Sequence, residues 1–193
     1  DLKVVGGSVS LDYIVDPTTS LTRFDVTNSI SGEIRDNNCA GSGSANIVMD
    51  GSSNIRLGLI QQSASNGREF RVFLDFNTSS IPDSATISSA TLYVYLNSEN
   101  VDPTQYANVY SCNYSSTFEN GDYNTALGTY HGYILTDSSA TGQYHSLAIN
   151  VTGNNISKTG STQLCLRTSQ ACSPLDDRWV IIDTGDVNYP YIN

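Results

Sequence analysis

The sequence is poor in positive charge: Lys and Arg total 9 against 19 Asp and Glu, a net charge of −10. Nucleic-acid binding needs a basic footprint on the phosphates, so no nucleic-acid partner is expected. Histidine is scarcer still, with only His131 and His145, both in aromatic-flanked strand contexts. Nucleophilic catalysis needs a base beside its nucleophile, and neither G-x-S-x-G nor H-E-x-x-H occurs. No enzyme is expected. No apolar run is long enough to span a bilayer, so no membrane span is expected. No long segment keeps a 3.6-residue period, which removes the helical architectures.

What is present is Ser, Thr, Asn and Gly, with 12 Tyr and only 15% charged residues. That composition suits an exported β-protein, and a start at Asp1 fits a processed chain. Turn signals recur about every ten residues between short alternating runs, which predicts an all-β antiparallel sandwich or jelly roll. The clearest runs lie within Phe70–Leu96. Phe70, Val72, Leu74 and Phe76 share one face of a strand, and Ala90, Leu92, Val94 and Leu96 share one face of another. Ser79-Ser80-Ile81-Pro82-Asp83-Ser84 turns the chain between them. The pair reads as the heart of an antiparallel sheet. Leu21–Ile34, Ala45–Gln61, Tyr106–Cys112, Tyr130–Leu135, Tyr144–Val151, Gln163–Thr168 and Trp179–Asp183 read as further strand regions, and Ser29–Ser44 and Asn97–Pro103 as loops.

Residues 1–20 stand apart from the single domain expected over 21–193. Val5, Gly7, Val9, Leu11, Tyr13 and Val15 fall on one face of a strand. Asp16-Pro17-Thr18-Thr19-Ser20 follows as a hinge, since Pro17 holds the chain extended. Such a strand can pair within its own sandwich or leave it as a donor to a neighbour.

Four cysteines, Cys39, Cys112, Cys165 and Cys172, favour disulfides and an oxidising compartment. Cys165–Cys172, closing a short loop, is the favoured pair, leaving Cys39–Cys112. Zinc fits poorly, because no C-x₂-C spacing exists. Oxygen-dense loops suit calcium, a hard cation wanting six to eight oxygens. The candidate ligands are Asp50 with Asn54, Glu119 with Asp122, Asp176 with Asp177, and Asp183 with Asp186. The same acidic residues offer pairs for glycoside hydrolysis, but in Gly/Asn-rich loops they serve turns or calcium more readily. N-x-S/T sequons stand at Asn77, Asn113, Asn150 and Asn155, with Asn113 and Asn155 in loop-like contexts. Tyr93 and Tyr95 lie on the non-core face of their strand, with Tyr130, Tyr133 and Tyr144 similarly placed, where rings stack on sugars.

The run Arg71-Val72-Phe73-Leu74-Asp75-Phe76 followed by Ser79-Ser80-Ile81-Pro82 and Ala90–Leu96 resembles the core of the DNRLRE (disaggregatase-related) β-sandwich domains. Asp50–Gly58, Ala148–Thr152, Trp179–Asp183 and Tyr189–Ile192 resemble further landmarks of that family, in order. The resemblance covers residues 45–193 and implies a sandwich without a catalytic motif. In layout the chain is similar to extracellular filament subunits with an N-terminal donor strand, such as archaeal bundling pili and cannulae. The leading expectation is therefore an extracellular structural subunit that polymerises with itself by strand addition. A secreted carbohydrate-binding module with polysaccharide as partner comes second, and an adhesion domain of a surface protein third.

Overall fold

The computed structural model describes residues 20–27, 31–37, 45–48, 54–63, 66–100, 105–114, 119–136, 141–169, 177–184 and 190–193. The expected donor strand, Val5–Val15, lies outside them. Twelve strands run through the described residues. They are β1 (Phe24–Asp25), β2 (Gly32–Asp36), β3 (Ala45–Val48), β4 (Asn54–Ser63), β5 (Asn66–Asn77) and β6 (Thr91–Asn100). They continue with β7 (Gln105–Cys112), β8 (Leu127–Thr136), β9 (Gln143–Ala148), β10 (Ser161–Thr168), β11 (Arg178–Asp183) and β12 (Tyr191–Ile192). Every ladder between them is antiparallel, and the chain is the all-β sandwich its punctuation predicts. Among the described residues no helix is long and apolar enough to cross a membrane.

β5 is the pivot. Its first half pairs with β4 and its second half with β10, while β2 runs along its other side. β6 is paired with β9 on one side and with β12 and β11 on the other. β5 and β6 are therefore not partners, which corrects the expectation that they pair as the centre of one sheet. Residues 78–90 separate them, far more than a hairpin turn uses. They face each other across the core instead. Val72, Leu74 and Phe76 of β5 meet Leu92, Val94 and Leu96 of β6, with Ile55, Leu57, Val109, Leu164, Leu166, Val180 and Ile182 from the neighbouring strands. Fully burying such a side chain contributes about 1.5–3 kcal/mol. The period of two put these residues on the inward faces. Which strand stood beside which was a matter for the rest of the chain.

Two segments that read in part as loops are strands. β2 carries Glu33, Arg35 and Asp36 and has little apolar signature, yet it is stitched between β3 and β5. β6 continues through polar residues to Asn100 because β11 extends beside it, with Trp179 opposite Asn100. In both cases backbone pairing outweighs side-chain propensity. At the β4–β11 contact Gly58 takes φ +131°, and a Cβ there would meet the Arg178 carbonyl oxygen at 2.2 Å. Glycine is required at that crossing.

The outer face of β5 and β10 is also covered. Residues 119–126, built around a 3-10 turn at Asn120–Asn124, lay Tyr123 against a second cluster with Ile34, Phe73, Tyr114 and Cys165. Phe73 meets Tyr114 edge-on at 5.4 Å between centroids. Arg71 forks onto the Glu69 carboxylate at 2.7 and 3.2 Å and donates to the Tyr123 carbonyl at 2.8 Å. The Tyr123 hydroxyl donates to Glu69 at 2.9 Å. Arg167 donates to the Thr125 carbonyl at 3.0 Å. Glu69, Arg71 and Arg167 thus hold the cover down.

Cys112 and Cys165 form a disulfide in this outer cluster, with Cα atoms 5.8 Å apart. This corrects the expected pairing of Cys165 with Cys172 and of Cys39 with Cys112. β7 and β10 are adjacent strands, with Cys165 opposite Tyr110, so Cys112 stands diagonally beside Cys165. Shortness of the intervening loop favours Cys172 in an unfolded chain, but sheet adjacency decides. Cys39 and Cys172 lie outside the described residues.

Candidate functional site

Ser111 and His131 come together on β7 and β8, with Ser111 Oγ 2.8 Å from His131 Nε2. The contact resembles a nucleophile and its base, but its proton runs the wrong way. The Asn150 backbone N–H donates to Nδ1 at 3.1 Å, so the ring proton sits on Nε2 and is given to Ser111. Ser111 in turn donates to Asn155 Oδ1 at 2.9 Å. A serine nucleophile must lose its proton to histidine. Burial also lowers the His131 pKa, holding the ring neutral. The relay fastens residues 150–155 to the β7–β8 pair. His145 lies on β9 opposite Val94.

Of the expected calcium ligands that are described, only Asn54 and Asp183 are brought side by side, as cross-strand partners. Asn54 Oδ1 accepts from Asn97 at 3.0 Å, and Asp177 Oδ2 accepts from Asn100 at 3.1 Å. Asp122 Oδ2 accepts the Glu119 N–H at 2.8 Å, so this pair closes the start of the 3-10 turn. Asp183 ends β11 opposite Asn54 and Tyr95. Among the described residues no three His, Cys, Asp or Glu side chains cluster as a metal site. Asp50, Asp176 and Asp186 lie outside the described residues.

The sequons differ in geometry. Asn77 and Asn150 are exposed, and each Oδ1 accepts from both the N–H and the hydroxyl two residues on, Ser79 and Thr152. Asn113 is exposed. Asn155 is built into the fold: its Nδ2 donates to the carbonyls of Asn150 and Thr152 at 3.0 and 2.7 Å.

Tyrosines form two arrays on outward faces. In the first, Tyr93 stacks on Tyr191 with centroids 4.6 Å apart, and Arg23 covers Tyr191 at 3.9 Å. Tyr144 meets both Tyr191 and Tyr95 edge-on at 5.6 and 5.3 Å. Tyr93 and Tyr95 are half-buried, their rings engaged with other side chains. The second array lies on β7 and β8, where Tyr106 meets Tyr133 at 4.6 Å and Tyr110 meets Tyr130 at 5.2 Å. Tyr130 and Tyr133 are 49% and 52% exposed, against 38% for Tyr106. Tyr106, Asn108 and Tyr110 were not singled out from the sequence. Their alternation with Ala107 and Val109, which face the core, was the available signal. Beside this array a shallow cleft of 310 Å³ is lined by Ser111, Cys112, Asn113 and residues 126–128.

No protein-family model matches the chain, and no curated protein matches it. Among solved structures, the chain is similar to the N-terminal CBM22-1-GH10 modules of an endo-1,4-beta-D-xylanase from Clostridium thermocellum, complexed with xylohexaose. The identity is 9% and the TM-score 0.36, covering 88% of this chain and 28% of that one. The chain thus spans under a third of that structure's length.

Proposed function

We propose that the chain is a structural subunit of an extracellular filament, with residues 1–17 adding as a strand to the sheet of the next copy. The supporting observation is the junction with the body. Ser20, Leu21, Thr22 and Arg23 are all exposed, Leu21 at 79%, so the segment following the hinge enters the sandwich at its surface. β1, which follows, is only two residues long. Among the described strands, β1, β3, β8 and β9 each have a single ladder partner, and such edges accept a further strand. The disulfide fits an oxidising compartment.

Removing Asp1–Pro17 should leave a folded monomer that does not polymerise, and adding the free 17-residue peptide should cap intact subunits. Sedimentation and electron microscopy read both outcomes. Filaments from the truncated chain would defeat the proposal. So would an intact chain that stays monomeric at high concentration with residues 1–15 protected from hydrogen exchange.

A further inference from the structure

We infer that the outward face of β7 and β8 binds a neutral polysaccharide. It carries Tyr130 and Tyr133, two of the outward tyrosines noted from the sequence, and lies apart from Tyr93 and Tyr95; it is independent of whether copies polymerise. Six large apolar or aromatic residues are exposed among the described residues, and four of them, Tyr106, Tyr130, Tyr133 and Leu135, lie on these two strands. Concentration of exposed apolar surface in one place marks an interaction site.

A bulge builds the array. Strict alternation would send Tyr130 and Tyr133 to opposite faces. The ladder pairs Val109 with Gly132 and Tyr110 with Tyr130, which leaves His131 as the extra residue. Gly132 takes φ +131° there, and a Cβ on it would stand 3.0 Å from Leu147 Cδ1. Both tyrosines therefore face outward, beside Tyr106, Asn108 and Tyr110. The inward neighbours Ala107, Val109 and Ile134 stay in the core.

The occupant follows from charge, shape and ring geometry. β7 reads QYANVYSC and β8 reads LGTYHGYILT, without Asp, Glu, Lys or Arg, in a chain of net charge −10. His131 is half-buried and held neutral by burial. The nearest charge is Arg167 of β10, opposite Asn108, and its guanidinium is taken up by the carbonyls of Tyr123 and Thr125. The exposed side chains form a strip the width of two adjacent strands, not a broad patch. That width fits a small ligand. Tyr106 and Tyr133 are inclined by 70°, and Tyr110 and Tyr130 by 45°. Each pair sets a ring face beside a ring edge with its hydroxyl. Ring faces attract the polarised C–H groups of a sugar, and phenol edges meet its hydroxyls. Asn108, opposite Tyr133 and within 3.5 Å of the Tyr130 hydroxyl, adds an amide between the pairs. Tyr106 and Tyr110 are about 13 Å apart along the strand, so a chain of sugars, not a single one, touches both pairs.

The test uses the full-length chain in affinity electrophoresis and calorimetry against soluble neutral polysaccharides (a glucan, a mannan, a galactan and a xylan) and an acidic polyuronate. Retardation by at least one neutral polymer is expected, with affinity at least tenfold lower in Tyr106→Ala and Tyr133→Ala and unchanged in Tyr93→Ala. Melting curves check that the variants stay folded. The inference is overturned if no neutral polymer binds or if the polyuronate binds better. Equal affinity in a folded Tyr133→Ala variant also overturns it, as does self-association of the intact chain that Tyr133→Ala abolishes.

Discussion

Glu33 is a carboxylate enclosed by its own sheet, 1% exposed, accepting the backbone N–H of Arg56. It stands on β2 opposite Val72 of β5 and reaches the part of β4 that does not pair with β5. Burial pushes its pKa up to about 7, against the partial relief of that hydrogen bond and of the Arg56 and Arg35 charges. The unfolded chain ionises near an ordinary glutamate value of about 4.3. Between those values the native state holds the extra proton, so native stability falls as pH rises from about 4.5 to 7. The full effect is on the order of 3 kcal/mol. Glu33→Gln mimics the protonated form. Chemical denaturation at pH 5 and pH 8 should find the variant close to the parent at the lower pH and more stable by a few kcal/mol at the higher. Equal stabilities at pH 8 would show that the carboxylate is not held in this way. Nothing in Gly32-Glu33-Ile34-Arg35-Asp36 announces this role, because a charged strand reads as solvated until its neighbours are known.

At the level of elements, the Cys112–Cys165 bond ties β7 to β10 beneath the cover formed by residues 119–126. It encloses a loop spanning 53 residues of sequence. Peptide mapping without reductant should recover Cys112 joined to Cys165. Recovery of Cys165 with Cys172 would contradict the β7–β10 adjacency. Replacing Cys112 and Cys165 together by Ser should lower stability by about 2–4 kcal/mol, chiefly through a less constrained unfolded chain. The strands β3 to β11 were readable from alternation and punctuation, most clearly β5 and β6. β2 and the end of β6 were not, since their pairing comes from partners distant in sequence.

For the whole molecule, net charge is −10, so copies repel one another. A filament of such subunits should assemble more readily as salt screens them, because the screening length shortens from about 30 Å at 0.01 M to about 10 Å at 0.1 M. Sedimentation across that range should show the concentration needed for assembly falling several-fold. An unchanged or rising threshold would count against polymerisation through surfaces that share this charge.

The sequence by itself determined the all-β class, the inward faces of the long strands and the acidic, histidine-poor surface. These follow from local periodicity and composition, which need no knowledge of partners. Tertiary structure decided what depends on which distant strands become neighbours. It set β5 and β6 across the core instead of side by side, and it joined Cys165 to Cys112. It covered the outer face of β5 with Tyr114 and Tyr123, and it turned Tyr130 and Tyr133 to one face through a single extra residue. A ladder's register is a long-range property: one inserted residue reverses every side chain beyond it, and no local pattern records where the insertion falls.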